Sequence, residues 1–187
     1  MKRSIVFALV AAAAVSASAE AKIGVVNMLT LVRNHPNYDS NKELLTSTDK
    51  DYKRKLDEIK AEGESLQEDG KKLAEQVRNP MLAAKAKADV EKKLMDIQQK
   101  LMGIEQRYRN EAVRCRQDLQ DLEGRLLKAT SEDIRKRIAK FAGENGYDFV
   151  LDTSAALFSK EEYDVTDEML KSMNVDPKTA KGRDEGK

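Results

Sequence analysis

Two side chains of this sequence have the reactivity that enzymes most often use: the single histidine, His35, and the single cysteine, Cys115. One histidine cannot form a zinc-binding His cluster, and no Ser/His/Asp or Cys/His set has a predicted helix or strand to hold it. Gly70-Lys71-Lys72 lacks both the glycine spacing and the Ser or Thr of a phosphate-binding loop. The sequence therefore predicts a protein that is not an enzyme, uses no metal or cofactor, and works through binding energy.

Four apolar side chains lie in or near a stretch with a positive charge balance, since residues 71–93 contain seven basic and three acidic residues, about +4. Methionine adapts to irregular apolar surfaces, which suits the binding of many different partners. The candidate contacts for such partners are Met81, Leu82, Met95 and Met102. The alternative is that they only widen the contact between two packed helices.

Four arginines flank Tyr108 and Cys115 farther along the chain, namely Arg107, Arg109, Arg114 and Arg116. Guanidinium groups bind phosphates through paired hydrogen bonds, so these arginines are candidates for an anion site that takes phosphate, anionic lipid or lipopolysaccharide. The alternative is that they form ion pairs with a neighbouring helix.

Most of these candidates belong to predicted helices that have one narrow apolar edge. Apolar residues recur at steps of three and four, which is the pattern of a coiled coil, and the residues between them are mostly charged. The edge of the second helix consists of Leu94, Ile97, Leu101, Ile104, Tyr108, Glu111 or Ala112, Cys115, Leu119, Leu122 and Leu126. The edge of the first consists of Leu45, Thr48, Tyr52, Leu56, Ile59, Gly63, Leu66, Gly70, Leu73 and Val77. Each helix needs a partner, and each can serve as the partner of the other.

The chain is predicted to reverse direction at Asn79-Pro80, where Asn would cap a new helix and Pro would occupy its first position. Residues 39–142 would then form an antiparallel hairpin that starts at the capping box Ser40-x-x-Glu43. With about 38 residues in its first helix, the hairpin would be roughly 55–60 Å long. A slip in the apolar pattern after Leu126 predicts a kink or a fresh helix start at Thr130 or Ser131.

The segments on either side of the hairpin, 22–38 and 143–175, are predicted to form a small body. Residues 22–28 and 147–152 have the β-branched pattern of strands, 156–159 could add a third, and Thr166 would cap a last helix over 166–174. Because so few strands cannot form a stable core alone, strands from several chains are expected to share one sheet or barrel. The polar tail, 176–187, is expected to be disordered.

The first residues have the pattern of a secretory signal peptide. Lys2-Arg3 precedes an apolar run, and Ala17-Ser18-Ala19 matches the residues before a cleavage site. The signal peptide would therefore comprise residues 1–19, with a cut after Ala21 as the alternative. Removing Lys2 and Arg3 takes the 34 basic residues to 32, against 33 acidic ones, so the exported chain is near neutral. Export also means that Cys115, with no second cysteine, is expected to be a small hydrophobe of the helical edge, or else to serve an interchain bridge or redox role.

The chain resembles the Skp/OmpH family of periplasmic chaperones. The resemblance depends on Lys-Ile-Gly-Val-Val-Asn-Met at 22–28 after the leader, the long charged hairpin, Gly-Tyr-Asp-Phe-Val-Leu-Asp-Thr at 146–153, and Asp-Val-Thr-Asp-Glu-Met-Leu at 164–170. It implies a homotrimer whose three hairpins project from a shared β-barrel around a cavity. That cavity would hold unfolded outer-membrane proteins in the periplasm without ATP. The near-neutral charge departs from the strongly basic charge common in that family.

A different interpretation is an exported coiled-coil spacer or tether that never handles clients. The narrow apolar edge is compatible with it, and suppression of client aggregation would separate the two. Nucleic acid is not an expected partner, because the chain is charge-balanced and carries an export signal.

Overall fold

A computed structural model describes residues 21–180, so the predicted leader lies outside the described residues. In chain order the regular elements are β1 (Ile23–Val26), α1 (Met28–Arg33), α2 (Tyr38–Val77), α3 (Ala84–Asn145), β2 (Phe149–Asp152) and α4 (Thr166–Ser172). Short 3-10 turns, Thr153–Ala155 and Glu161–Tyr163, lie between β2 and α4. The protein is therefore mostly helical with a small sheet.

Helices α2 and α3 pack against each other in antiparallel order. Gly63 faces Ile104, and one heptad farther out Gly70 faces Ile97. Most positions of the predicted apolar edges are half-buried, which confirms the three-four pattern. Tyr108 is 38% exposed, however, and only Ile59 and Cys115 of these edges are fully buried. We call residues 38–130, which comprise α2, the turn after it and the first part of α3, the arm, and the remaining described residues, 21–37 and 131–180, the body.

The end of the arm is a turn over residues 78–83 that contains Asn79 and Pro80. The prediction that Asn79 caps the second helix is wrong, since α3 begins at Ala84 and its N-cap residue is Ala83. The Asn79 side chain instead accepts a hydrogen bond from the backbone N–H of Met81 at 3.0 Å. Because α3 begins at Ala84 rather than at Pro80, residues 80–83 belong to the loop, which is longer than predicted.

Two further predicted helix boundaries are wrong. Helix α2 begins at Tyr38 with Asn37 as its N-cap residue, so Ser40 lies inside the helix and donates to the Asn37 carbonyl. Helix α3 runs without interruption through Thr130, which is buried and accepts a hydrogen bond from the Asn41 side chain at 3.4 Å. The slip in the apolar pattern therefore marks the passage of α3 from the arm into the body rather than a kink.

Strands β1 and β2 pair in parallel, with Ile23 beside Phe149 and Val26 beside Asp152. Parallel neighbours need a crossover connection, and here the crossover comprises α1 and the whole hairpin. Gly24 is needed at this point because a Cβ atom would lie 3.2 Å from the Tyr147 ring. Helix α3 ends at Asn145, and its C-cap Gly146, with a left-handed φ of 68°, turns the chain toward β2.

The core of the body joins the sheet to three helices. Its buried cluster consists of Val26, Leu31, Ile134, Val165, Met169, Leu170 and Met173. One face of the sheet packs on this cluster through Val26 and Val150. On the opposite face Ile23, Phe149 and Leu151 stay exposed, since successive strand residues point to alternate sides.

Three predictions for the end of the chain need correction. Residues 156–159 are not a strand, and Leu157 and Phe158 in that segment are exposed. Thr166 is the first residue of α4 instead of its cap, and its hydroxyl accepts a hydrogen bond from the Asn27 backbone. Disorder from Asp176 onward is wrong for residues 176–180, where Pro177 is buried and Ala180 packs on the core. Residues 181–187 lie outside the described part of the chain.

Candidate functional site

The turn at the end of the arm exposes one of the predicted client contacts. Met81 is 89% exposed, whereas Leu82 is half-buried. The Leu82 N–H donates to the Asn79 carbonyl at 3.2 Å, which closes the turn. Met81 is thus presented to the surroundings at the far end of the arm, and Leu82 contributes to the turn itself.

Met95 and Met102 lie on the outer surface of α3, and each follows a residue of the apolar edge, Leu94 or Leu101. They are 63% and 64% exposed, so their side chains add little to the contact between the two helices. The alternative that they only widen this contact is therefore wrong. A separation of seven residues puts them on one line along the arm.

The four arginines do not converge on one anion site. Arg107 reaches across the arm to Glu62, whereas Arg109 pairs with Glu105 and Arg114 with Asp118, both within α3. Within the described residues no ion pair involves Arg116. The alternative of pairing with the other helix therefore holds only for Arg107, because α2 places a carboxylate opposite that position alone.

The methionines and two of the arginines share one line on α3. Met95, Met102, Arg109 and Arg116 follow one another at intervals of seven residues, and all four are exposed. We call these four residues the outer stripe. It spans 22 residues, about 31 Å along the helix. Two residues from each candidate site of the sequence thus lie next to each other on one line of α3.

One layer of the arm is polar where the pattern offered Glu111 or Ala112. Both residues are half-buried, and the Lys55 ammonium donates to the Glu111 carboxylate, which also accepts from the Cys115 thiol at 3.8 Å. The hydrogen bond from Lys55 lowers the pKa of Glu111, and burial raises the pKa of Cys115. A thiol with a raised pKa is less nucleophilic, which favours a packing role for Cys115.

A second polar cluster lies where the arm meets the body. The His35 Nδ1 accepts a hydrogen bond from the Asn37 backbone N–H at 3.2 Å, which leaves Nε2 to donate to Asp133 at 2.9 Å. Arg137 also donates to Asp133, at 2.7 Å, and the pKa of Asp133 is lowered by Arg137 first and His35 second. Sequence reasoning missed this contact, because no local pattern links residues 98 positions apart.

The body contains a cleft of about 740 Å³, lined in part by Leu157, Phe158, Asp164 and Asp167. Across residues 21–180 no group of three or more His, Cys, Asp or Glu side chains is placed to hold a metal ion. Within the same residues, no helix combines the length and the apolar character that crossing a membrane requires.

The fold and the exposed side chains define a class of protein, one in which a small α/β body carries a helical-hairpin arm suited to binding. The family model described as outer membrane protein (OmpH-like) matches residues 22–173, and the chain belongs to that family. At the level of the family, this means chaperones of outer-membrane proteins that are associated with the periplasm and the outer membrane. The predicted resemblance is thereby confirmed. Comparison with curated proteins found no match.

Proposed function

We propose that this chain is an ATP-independent periplasmic holdase, which binds unfolded outer-membrane proteins and prevents their aggregation before membrane insertion. The main support for this proposal is the arm, a long hairpin whose outer surface is charged but exposes Met81, Met95 and Met102. Such a surface makes many weak apolar and polar contacts with a flexible chain. The total affinity is then high through multivalency, while each contact stays reversible and release needs no nucleotide.

The proposal includes export by a leader that is cleaved after Ala19, or after Ala21, and a homotrimer whose bodies share a β-barrel. The exposed sheet face of Ile23, Phe149 and Leu151 supports assembly, as do the exposed side chains of Leu157 and Phe158. Apolar surface of this extent on a small body is typical of a face that another chain covers. Three arms around one axis would enclose a client cavity.

The proposed client contacts are Met81, Leu82, Met95 and Met102, which lie at the tip and on the outer half of α3. For Arg107, Arg109, Arg114 and Arg116 we propose contacts with anionic groups, either on a client or on lipid and lipopolysaccharide. Arg116 supports this role best, because no carboxylate neutralises it within residues 21–180.

The test is a break in the arm that spares the body. Ile59→Pro removes a helical hydrogen bond and costs about 3 kcal/mol or more in α2. We expect it to abolish suppression of aggregation of an unfolded β-barrel protein, while light scattering still reports the oligomer. Ile59→Leu is the matched control, since it keeps an apolar side chain of the same volume. Undiminished protection by the proline variant would contradict the proposal.

A spacer or tether without chaperone activity is the second candidate, and the narrow apolar edge of the arm is compatible with it. Wild-type protein that leaves client aggregation unchanged at stoichiometric ratio would decide for the spacer.

A further inference from the structure

The outer stripe differs in composition from the rest of the arm. Five amide side chains occur among residues 98–117 of α3, against three in the 40 residues of α2. All five are exposed, and they are Gln98, Gln99, Gln106, Asn110 and Gln117. Within residues 98–117 the only acidic side chains are Glu105, which pairs with Arg109, and Glu111, which pairs with Lys55.

Each of these groups fits a different part of an extended polypeptide. An amide both donates and accepts, so it can satisfy the free backbone N–H and C=O groups of an unfolded chain. Methionine accepts apolar side chains of various shapes, and arginine binds a carboxylate through two hydrogen bonds. Along the stripe the apolar half points to the tip of the arm and the cationic half points to the body.

The length of the stripe also indicates what kind of ligand it binds. An extended chain advances about 3.3 Å per residue, so the roughly 31 Å from Met95 to Arg116 accommodates about nine residues. A transmembrane β-strand has about 9–11 residues and alternates apolar with polar side chains. A lipid could contact the arginines and methionines of the stripe, but it has no repeating N–H and C=O groups to pair with the amide side chains.

We propose that the outer stripe binds one extended strand segment of an unfolded β-barrel protein, with the apolar part of the segment toward the tip and an acidic residue at Arg116. This inference deepens the proposed function and rests on it. Arg109 is already paired with Glu105, so Arg116 supplies the stronger cationic contact.

Site-specific photocrosslinking to an unfolded outer-membrane β-barrel protein tests the location. A benzophenone side chain replaces Gln106, in the middle of the stripe, or Gln67, which is an exposed glutamine on α2. We expect the Gln106 position to crosslink at least fivefold more client than the Gln67 position. Equal crosslinking at the two positions, while the protein still suppresses aggregation, would overturn the stripe and leave the proposed function standing.

Substitutions test the chemistry in the full-length protein. Met95→Gln with Met102→Gln should weaken client binding roughly tenfold, the equivalent of about 1.4 kcal/mol. Leu127→Gln is the control, since Leu127 is 54% exposed on α3 beyond the stripe. Arg116→Gln should weaken binding severalfold at low salt, whereas Arg125→Gln, at an exposed position of α3 beyond the stripe, should change it less than twofold.

Two other outcomes are informative. If the wild-type protein neither crosslinks nor protects any client, the proposed function itself fails. If the arginine variant loses binding to vesicles that contain anionic lipid while client binding is unchanged, the stripe is a lipid site and the inference is overturned. Circular dichroism of each variant checks that the helices are intact.

Discussion

The body and the arm are stabilised in different ways. In the body, the side chains of Leu31, Ile134, Met169, Leu170 and Val26 are all less than 2% exposed and form one cluster. In the arm, a longer stretch of chain fully buries only Ile59, Cys115 and, where it meets the body, Thr130, and most of the apolar edge is half-buried. The body thus has a small three-dimensional core, whereas the arm has a single line of contacts.

This difference assigns different tasks to the two regions. A core that touches several elements unfolds cooperatively, whereas a line of contacts can open locally at low cost. The arm therefore has the adaptable surface that the proposed binding of irregular clients requires, and the body holds the chain together. Substitutions matched between the two regions can sharpen or break this comparison.

The largest effect is expected in the core of the body. Met169→Ala removes a fully buried side chain and should lower the free energy of unfolding by about 2–5 kcal/mol, because the cavity cannot fully collapse. Met102→Ala, at an exposed position of α3, should change it by less than about 0.5 kcal/mol. Urea titrations followed by circular dichroism measure both. Similar losses for the two variants would remove the distinction between the regions.

A smaller and local effect is expected in the arm. Ile59→Ala should cost about 1–2 kcal/mol, below the usual range for core positions, since the narrow edge can close around the smaller side chain. Hydrogen exchange should show faster opening of α2 amides, with the amides of β1 and α4 unchanged. Faster exchange throughout the chain would mean that arm and body unfold as one unit.

The glycines of the arm offer a gain in stability. Gly70→Ala would place a methyl group 3.4 Å from Ile97, an ordinary contact, and should stabilise the arm by about 0.5–1 kcal/mol through helix propensity and packing. Gly103→Ala is matched to it, because a Cβ atom there meets nothing within 4 Å. A higher melting temperature for the first variant than for the second would measure the packing part. A destabilised Gly70→Ala variant would show that the helices are already in full contact.

The smallest effect is a pH dependence at the junction of the two regions. The pKa of Asp133 is lowered in the folded state, so its contribution to stability is present above the ordinary value of 3.8 and is lost as the pH falls through the lower folded pKa. Asp133→Asn should reduce stability at pH 7 and leave it nearly unchanged at pH 2. Glu132→Gln, next to it and exposed, serves as the control. An equal loss at both pH values would point to packing rather than charge.

The sequence predicts the arm better than the body, for a physical reason. The contacts of the arm repeat every seven residues, so spacing alone predicts that Leu66 and Ile97 pack between the two helices. The body depends on contacts between distant segments, and no local pattern links Ile23 to Phe149 or His35 to Asp133. Mispredicted helix starts at Ser40 and Thr166 have the same origin, since the body engages these segments in ways that local capping rules do not contain.

The candidate site was predictable in part. Spacing identified Met95, Met102, Arg109 and Arg116 as two separate groups, and only the helix geometry revealed that they form one line. The pairing of Arg107 with Glu62 and of Lys55 with Glu111 required the register of the hairpin, which the sequence alone left open.

Helix α3 is 62 residues long, about 93 Å, and it belongs to both regions. Long helices commonly curve with a radius of about 60–100 Å. Over the roughly 69 Å of α3 within the arm, the difference between a straight and a curved helix displaces the tip by on the order of 25–40 Å. Curvature of this size along α3 would change the reach of the arm without breaking a hydrogen-bonded turn of the helix.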